Sequence, residues 1–192
     1  MPIGGGRRTL TGFTRETQPH LEEKKDDPAI CTTLRYLATG FYFETAGEYK
    51  KNANTLRNEY GDPVEEFEIQ FIEGESIDCD LAKAIGLNQA NFARFFDIID
   101  EWEEWEKRPV ILAVGECGYQ FDDGTAPDDF DVDIYSVNSM RELAEQFVEE
   151  GLFGDIPERL QFYINYDAIA RDLAVDYSEA VIASSRVIYR CG

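Results

Sequence analysis

The sequence predicts an α+β chain built from small units in succession, and three observations carry that prediction. Phe67-Glu68-Ile69-Gln70-Phe71-Ile72-Glu73 alternates apolar and polar residues over most of its length, the pattern of a half-buried strand. Phe92, Phe95, Phe96, Ile99 and Trp102 recur at helical spacing, so that a helix buries one aromatic side. Ser139 and Glu142 form a Ser-x-x-Glu helix start ahead of the stripe Met140, Leu143, Ala144, Phe147 and Val148, which Gly151 ends. The segments group into a flexible tail (1–30), a small α+β unit (31–75), a helical unit (76–108) and an α+β C-terminal unit (109–192).

Residues 1–30 are mixed in charge, punctuated by Gly and Pro, and without periodicity. Gly4-Gly5-Gly6 follows no strand and opens no helix, so it reads as linker rather than phosphate loop. Order is expected to begin near Ile30-Cys31 and to run through Leu37, with Phe41-Tyr42-Phe43 as the next strand after Gly40. Ala46 to Tyr60 is compatible with a helix that stops at Gly61-Asp62-Pro63, and the strand at Phe67–Glu73 ends at Gly74. Asp78 to Gly86 reads as a short helix. Asn88 is placed to cap the helix that follows, and Pro109 to close it. Val110-Ile111-Leu112-Ala113-Val114 has the composition of a buried strand, with Gly118-Tyr119-Gln120-Phe121 as its hairpin partner. Beyond the Ser139 helix, a turn starts near Pro157 and Asn165 caps a helix from Tyr166 to Leu173. Two strand-like runs, Tyr177–Ile182 and Arg186–Arg190, joined by Ala183-Ser184-Ser185, close the chain.

The charge is extreme and uneven. Of 18 basic and 39 acidic residues, for a net charge of −21, residues 1–60 hold nine basic against eight acidic, and residues 61–192 nine against thirty-one. Self-repulsion on that scale opposes a compact state, and solubility needs far less. Such a surface repels nucleic acid and anionic membrane and attracts basic proteins or cations, so a direct nucleic-acid or membrane partner is not expected. No apolar run is long enough to span a bilayer, and the start resembles no signal peptide. The four cysteines (31, 79, 117 and 191) show no C-x-x-C, which argues against zinc and against a disulfide framework. A reducing, cytoplasmic setting is expected.

Catalytic chemistry finds little support. The only histidine, His20, lies in the tail, and no P-loop, dinucleotide fingerprint or nucleophile elbow is present. With thirty-nine acids, close carboxylate pairs arise by chance and point to no hydrolase. The loop from Asp122 to Asp133 is rich in aspartate but fails the EF-hand pattern, since neither Asp123 nor Asp128 as first residue puts glycine at position six or glutamate at position twelve. The chain is therefore read as no enzyme, with no cofactor and no dedicated metal site.

Asp97 to Glu106 stands out, with six carboxylates in ten residues and no basic residue. On one continuous helix Asp97, Asp100, Glu101 and Glu104 would face away from the aromatic side, spaced roughly one per 3.5 Å of axis. A single strand of duplex DNA carries one phosphate per about 3.4 Å. An ordinary solvated helix face satisfies the same pattern.

The C-terminal third tips the balance. Pro157, Leu160, Tyr163, Ile164, Asn165 and Tyr166, then Ala170-Arg171-Asp172-Leu173, closely resemble the signature of ArdA-type antirestriction proteins, a Pro-x-x-Leu-x-x-Tyr-Ile-Asp-Tyr run followed by Ala-Arg-Asp-Leu. Asn165 replaces the usual aspartate, and either residue caps a helix. Glu65-Glu66-Phe67-Glu68-Ile69 resembles the family's Glu-Glu-aromatic-x-Ile strand, whereas the family's Tyr-Asn-x-Gly stretch has no counterpart.

The resemblance implies an elongated protein of three small units in series, paired as a homodimer through the C-terminal unit. Its acidic surface would imitate DNA and occupy the DNA-binding groove of type I restriction–modification enzymes, an anti-defence activity of mobile genetic elements. On that footing the expected partner-binding surface comprises Glu65, Glu66, Glu68, Glu73, Asp97, Asp100, Glu101, Glu104, Asp122, Asp123, Asp128, Asp129, Asp131, Asp133, Glu142, Glu145, Glu149 and Glu150. The expected dimer or core motif comprises Pro157, Leu160, Tyr163, Ile164, Tyr166, Ala170, Arg171, Asp172 and Leu173. Two alternatives stand beside it: an acidic inhibitor of another phage-defence complex such as a CRISPR effector, and an acidic binding module for a basic protein.

Overall fold

The computed structural model describes residues 9–13 and 40–192, which fall into two compact units divided between Pro127 and Asp128. Both units combine helices with a three-stranded antiparallel sheet, so the α+β class holds. The expected order from Ile30 to Leu37 lies outside the described residues, as does most of the expected tail.

The first unit contains β1 (Thr9–Phe13), β2 (Phe41–Phe43), α1 (Ala46–Thr55), β3 (Glu68–Glu73), α2 (Ser76–Ala84), α3 (Phe92–Glu101) and α4 (Glu104–Val110). Its sheet runs β2-β1-β3, with Leu10 opposite both Phe43 and Phe71. The central strand thus comes from the stretch read as a flexible tail. Five residues containing Gly12 give too short an alternation to register as a strand, and long-range pairing supplies what local pattern does not. α1 starts where Thr45 caps it through the Glu48 N–H and ends five residues before Tyr60. The Asn58 side chain accepts from the N–H groups of Tyr60 and Asp62, which favours a turn there over further helix.

Phe43, Tyr49, Phe67, Ile69 and Phe71 meet Phe92, Phe95 and Ile98 in one aromatic core, with ring centroids 4.6 Å apart for Tyr49–Phe92 and 5.3 Å for Phe71–Phe95. The expected boundary between residues 75 and 76 therefore does not exist. Rings from the strands before it and from the helices after it pack together within one compact unit. Gly74 ends β3 beneath the Phe71 ring, where an added Cβ would sit 2.3 Å from Cζ.

Two further expectations fail around Pro109. The acidic stretch is not one helix, because α3 stops at Glu101 and Trp102 is extended (φ −93°, ψ 135°). α4 then starts anew with a capping box in which the Glu106 side chain accepts from the Glu103 N–H at 2.8 Å. Asn88 caps the turn ahead of α3 rather than the helix itself: its Oδ1 accepts from the Ala90 N–H and its carbonyl from the Phe92 N–H.

Pro109 closes nothing. It removes one helical bond to the carbonyl of the exposed Trp105, and the helix runs on through Ile111–Glu116 in π geometry. The expected strand at Val110–Val114 is the end of α4 and the start of that π segment, and Gly118–Phe121 is irregular rather than extended into a strand. A short apolar run fits a buried helix and a buried strand equally well, and extending a helix already nucleated satisfies the backbone without a partner strand. Gly115 lets the segment approach α2, where an added Cβ would lie 3.1 Å from that of Ala84.

Lys107 of α4 is buried and donates to the buried Asp78 carboxylate of α2 at 2.6 Å and to the Ile99 carbonyl of α3 at 3.3 Å. Three helices are joined at one ammonium.

The second unit contains β4 (Val132–Tyr135), α5 (Met140–Glu149), α6 (Glu158–Gln161), α7 (Tyr166–Leu173), β5 (Ser178–Ile182) and β6 (Ser185–Cys191), with sheet order β4-β6-β5. Leu143, Phe147, Tyr177 and Ile188 form its core, flanked by Tyr135, Val137, Met140 and Leu173. Ser139 caps α5 through the Glu142 N–H at 3.2 Å, while the Glu142 carboxylate reaches one residue further back than the motif predicts, to the Asn138 N–H at 2.8 Å. Asn165 caps α7 through the Ala168 N–H, as expected. The β5–β6 turn holds Ala183 and Ser184 at φ 48° and 65°. Cys79 is a buried free thiol, whereas Cys117 and Cys191 each take part in a disulfide, contrary to the expectation of reduced cysteines.

Lys107→Met should cost about 3–5 kcal/mol, because it leaves a buried carboxylate without its cation. Adding Asp78→Leu should recover most of that loss in urea unfolding; a neutral Lys107→Met would show that the pair does not hold the helices together.

Candidate protein-interaction surface

The surface has to be assembled from carboxylates, so their placement decides what it can do. In the first unit, Glu65 and Glu66 precede β3 and Glu68 and Glu73 bound it; Asp97, Asp100 and Glu101 lie on α3, Glu104 opens α4, and Asp122 and Asp123 lie in a loop. In the second, Asp128 and Asp129 occupy a 3-10 turn, Asp131 and Asp133 lie at β4, and Glu142, Glu145, Glu149 and Glu150 follow α5 to its end. Sixteen of these eighteen acids are exposed and the other two, Asp133 and Glu145, are half-buried, so none is lost to a core.

The amphipathic pattern explains this directly. On α3, Phe92, Phe95, Ile98 and Ile99 are buried while Asp97, Asp100 and Glu101 are exposed. The break at Trp102–Glu103 corrects the evenly spaced ladder, since Glu104 belongs to a different helix from the other three.

The acids are not equivalent. Glu101 lies 3.6 Å from Arg94, Glu104 2.6 Å from Arg108, Glu145 2.9 Å from Arg141 and Asp133 2.6 Å from Arg190. Arg141 also holds Asp167 of α7 at 2.7 Å and stacks over Tyr166, and its hydrogen bonds to Asp167 and Glu145 raise the guanidinium pKa further. Arg190 is held up likewise by its bond to Asp133 and by Tyr177. Burial pushes the phenols of Tyr49 and Tyr135 up, that of Tyr49 offset in part by the hydrogen bond from Gln89. By contrast Glu65, Glu66, Asp97, Asp123, Asp128 and Glu149 have no ion pair among the described residues. Glu104–Arg108 and Arg141–Glu145 are each i,i+4 neighbours on one helix, a spacing legible in the sequence, whereas Asp133–Arg190 is brought together only by the fold.

No group of three or more His, Cys, Asp or Glu suited to a metal ion occurs among the described residues, so the aspartate-rich loop assembles no such cluster there. Asp122 is committed locally, with its Oδ1 accepting from the Gly124 N–H and its backbone N–H donating to Thr125 Oγ1.

The C-terminal motif, expected as dimer contact or core, is divided between buried and exposed positions. Leu173 packs against the second core and Ile164, Ile169, Tyr166 and Ala170 are half-buried, but Leu160 is 48% and Tyr163 83% exposed. Pro157 precedes α6, and Arg171 and Asp172 face solvent on α7. Leu152, Phe153 and Phe162, the last 94% exposed, add apolar surface that the motif alone did not single out.

Residues 43–186 match the family model described as antirestriction protein (ArdA). The chain belongs to the ArdA antirestriction family. ArdA proteins are inhibitors rather than enzymes, and their family role implies interaction with restriction enzymes. No curated protein matches the chain. No helix of this ArdA protein among the described residues is long and apolar enough to cross a membrane.

Asp97→Asn should weaken antirestriction more than Glu104→Gln, by about two- to fivefold, since Glu104 is already neutralised by Arg108. Equal effects in a restriction-inhibition titration would show that internal pairing does not rank the acids.

Proposed function

We propose that this protein is a DNA mimic that occupies the DNA-binding groove of a type I restriction–modification enzyme and so blocks restriction. The observation that carries the reading is the distribution of charge: acids fixed on helices, strands and tight loops, facing solvent in both units. A groove shaped for duplex DNA presents cations where phosphates lie. Carboxylates on a folded scaffold meet those cations without the cost of bending DNA, on the order of 1–6 kcal/mol. Competition with DNA then needs no chemistry and no cofactor, only matching charge, and it would take place in the cytoplasm. Affinity falls with salt for the reason that DNA affinity does, since each contact releases condensed counterions.

The test is ATP-dependent cleavage by a purified type I enzyme, titrated with this protein at two salt concentrations. Inhibition near stoichiometric ratios, relieved by salt, is expected. An absence of inhibition at every ratio would exclude this target and turn the search to another phage-defence complex or another basic protein.

We further propose that the protein acts as a homodimer through the segment 156–173. The support is the exposed apolar set Leu152, Phe153, Leu160, Phe162 and Tyr163, large side chains that a soluble monomer rarely leaves clustered in sequence and bare. Leu160→Glu with Phe162→Glu should turn a dimer into a monomer in sedimentation velocity. Two charges at a real apolar interface are not tolerated, so an unchanged dimer would move the contact elsewhere.

A further inference from the structure

Arg94 is placed in a way that stability alone does not explain. It lies on α3, its side chain is 23% exposed, and its Nε is buried with no hydrogen-bond partner among the described residues. A buried donor left unsatisfied is a cost, and an apolar side chain of similar length would avoid it. The guanidinium reaches three places instead. Nη1 lies 3.6 Å from the Glu101 carboxylate, Nη2 donates to the Thr125 carbonyl at 3.5 Å, and Cζ lies 5.7 Å from the Trp102 ring centroid.

Thr125 is the fixed point of its loop. It is buried, its Oγ1 accepts from the Asp122 N–H at 2.9 Å, and its own N–H donates to the Asp122 carbonyl at 3.2 Å. Asp122 Oδ1 in turn accepts from the Gly124 N–H at 2.8 Å. The loop is thus folded onto itself and joined to α3 by the Arg94 side chain. Asp97, Asp100 and Glu101 belong to that helix, and Asp122 and Asp123 to that loop.

We infer that Arg94 is a positioning residue for the partner-binding surface, fixing the Asp122–Thr125 loop against α3 so that the acids of both segments meet the partner as one array. The inference rests on the DNA-mimic reading and deepens it. Arg94 itself need not touch the partner. Its planar fork can hold a carboxylate and a carbonyl together while stacked on an indole, which an ammonium cannot do.

Arg94→Met in the full chain separates positioning from support. Methionine fills the same space and removes the orphaned donor, so the unfolding midpoint should stay the same or rise. Amide exchange at Gly124 and Thr125 should quicken by about tenfold or more as the loop is released. The concentration for half-inhibition of a type I restriction enzyme should rise about three- to tenfold. A fall in the unfolding midpoint in step with inhibition would make Arg94 ordinary structural support and overturn the inference, and so would unchanged exchange or unchanged inhibition. If the unaltered protein fails to inhibit the enzyme, the mimic reading fails first, while the exchange measurement still decides whether Arg94 holds the loop.

Discussion

The buried ion pair between Lys107 and Asp78 is the interaction on which the acidic face of the first unit depends. One ammonium, taken out of water, binds a carboxylate of α2 and the Ile99 carbonyl near the end of α3. In a chain of net charge −21, placing an acid in the interior seems perverse until its partner is considered. A lone pair in a low-dielectric interior is costly in either half, so the three helices are held to the one arrangement that keeps both halves matched. The apolar sides of α3 and α4 are thereby turned inward, and the carboxylates on their outer sides follow.

The surface is consequently a by-product of ordinary amphipathic packing carried to an unusual charge density. α3 and α5 bury an apolar side and leave carboxylates outside, Asp97, Asp100 and Glu101 on the one and Glu142 and Glu149 on the other, whereas α1 exposes Lys50 and Lys51. Arginines at 94, 108, 141 and 190 relieve part of the repulsion by pairing with acids of their own unit, which lowers the cost of folding.

Much of this architecture was legible in the sequence. The strand at Phe67–Glu73, the caps at Ser139 and Asn165, and the outward face of α3 follow from periodicity and capping chemistry, which are local. What was not legible is non-local. β1 exists because it is sandwiched between two strands, and its five residues carry no signal that would distinguish them from a tail. Val110–Val114 is helical because a helix was already under way upstream, started by a Glu103–Glu106 box that breaks the acidic stretch in two. The exposure of the candidate acids was predictable, since carboxylates stay in water. Of the arginine pairs, Glu104–Arg108 and Glu145–Arg141 follow local helical spacing, while Asp133–Arg190 depends on tertiary contact, as does the exposure of Leu160 and Tyr163.

The β5–β6 hairpin has one further consequence. Its two central residues, Ala183 and Ser184, sit in left-handed backbone conformations that their side chains disfavour, where asparagine followed by glycine is the usual choice. The sheet, anchored by buried Val187 and Ile188, imposes the turn rather than the turn guiding the sheet. This bend is therefore a reserve of unused stability at which the protein could be strengthened for handling or engineering without altering a single carboxylate.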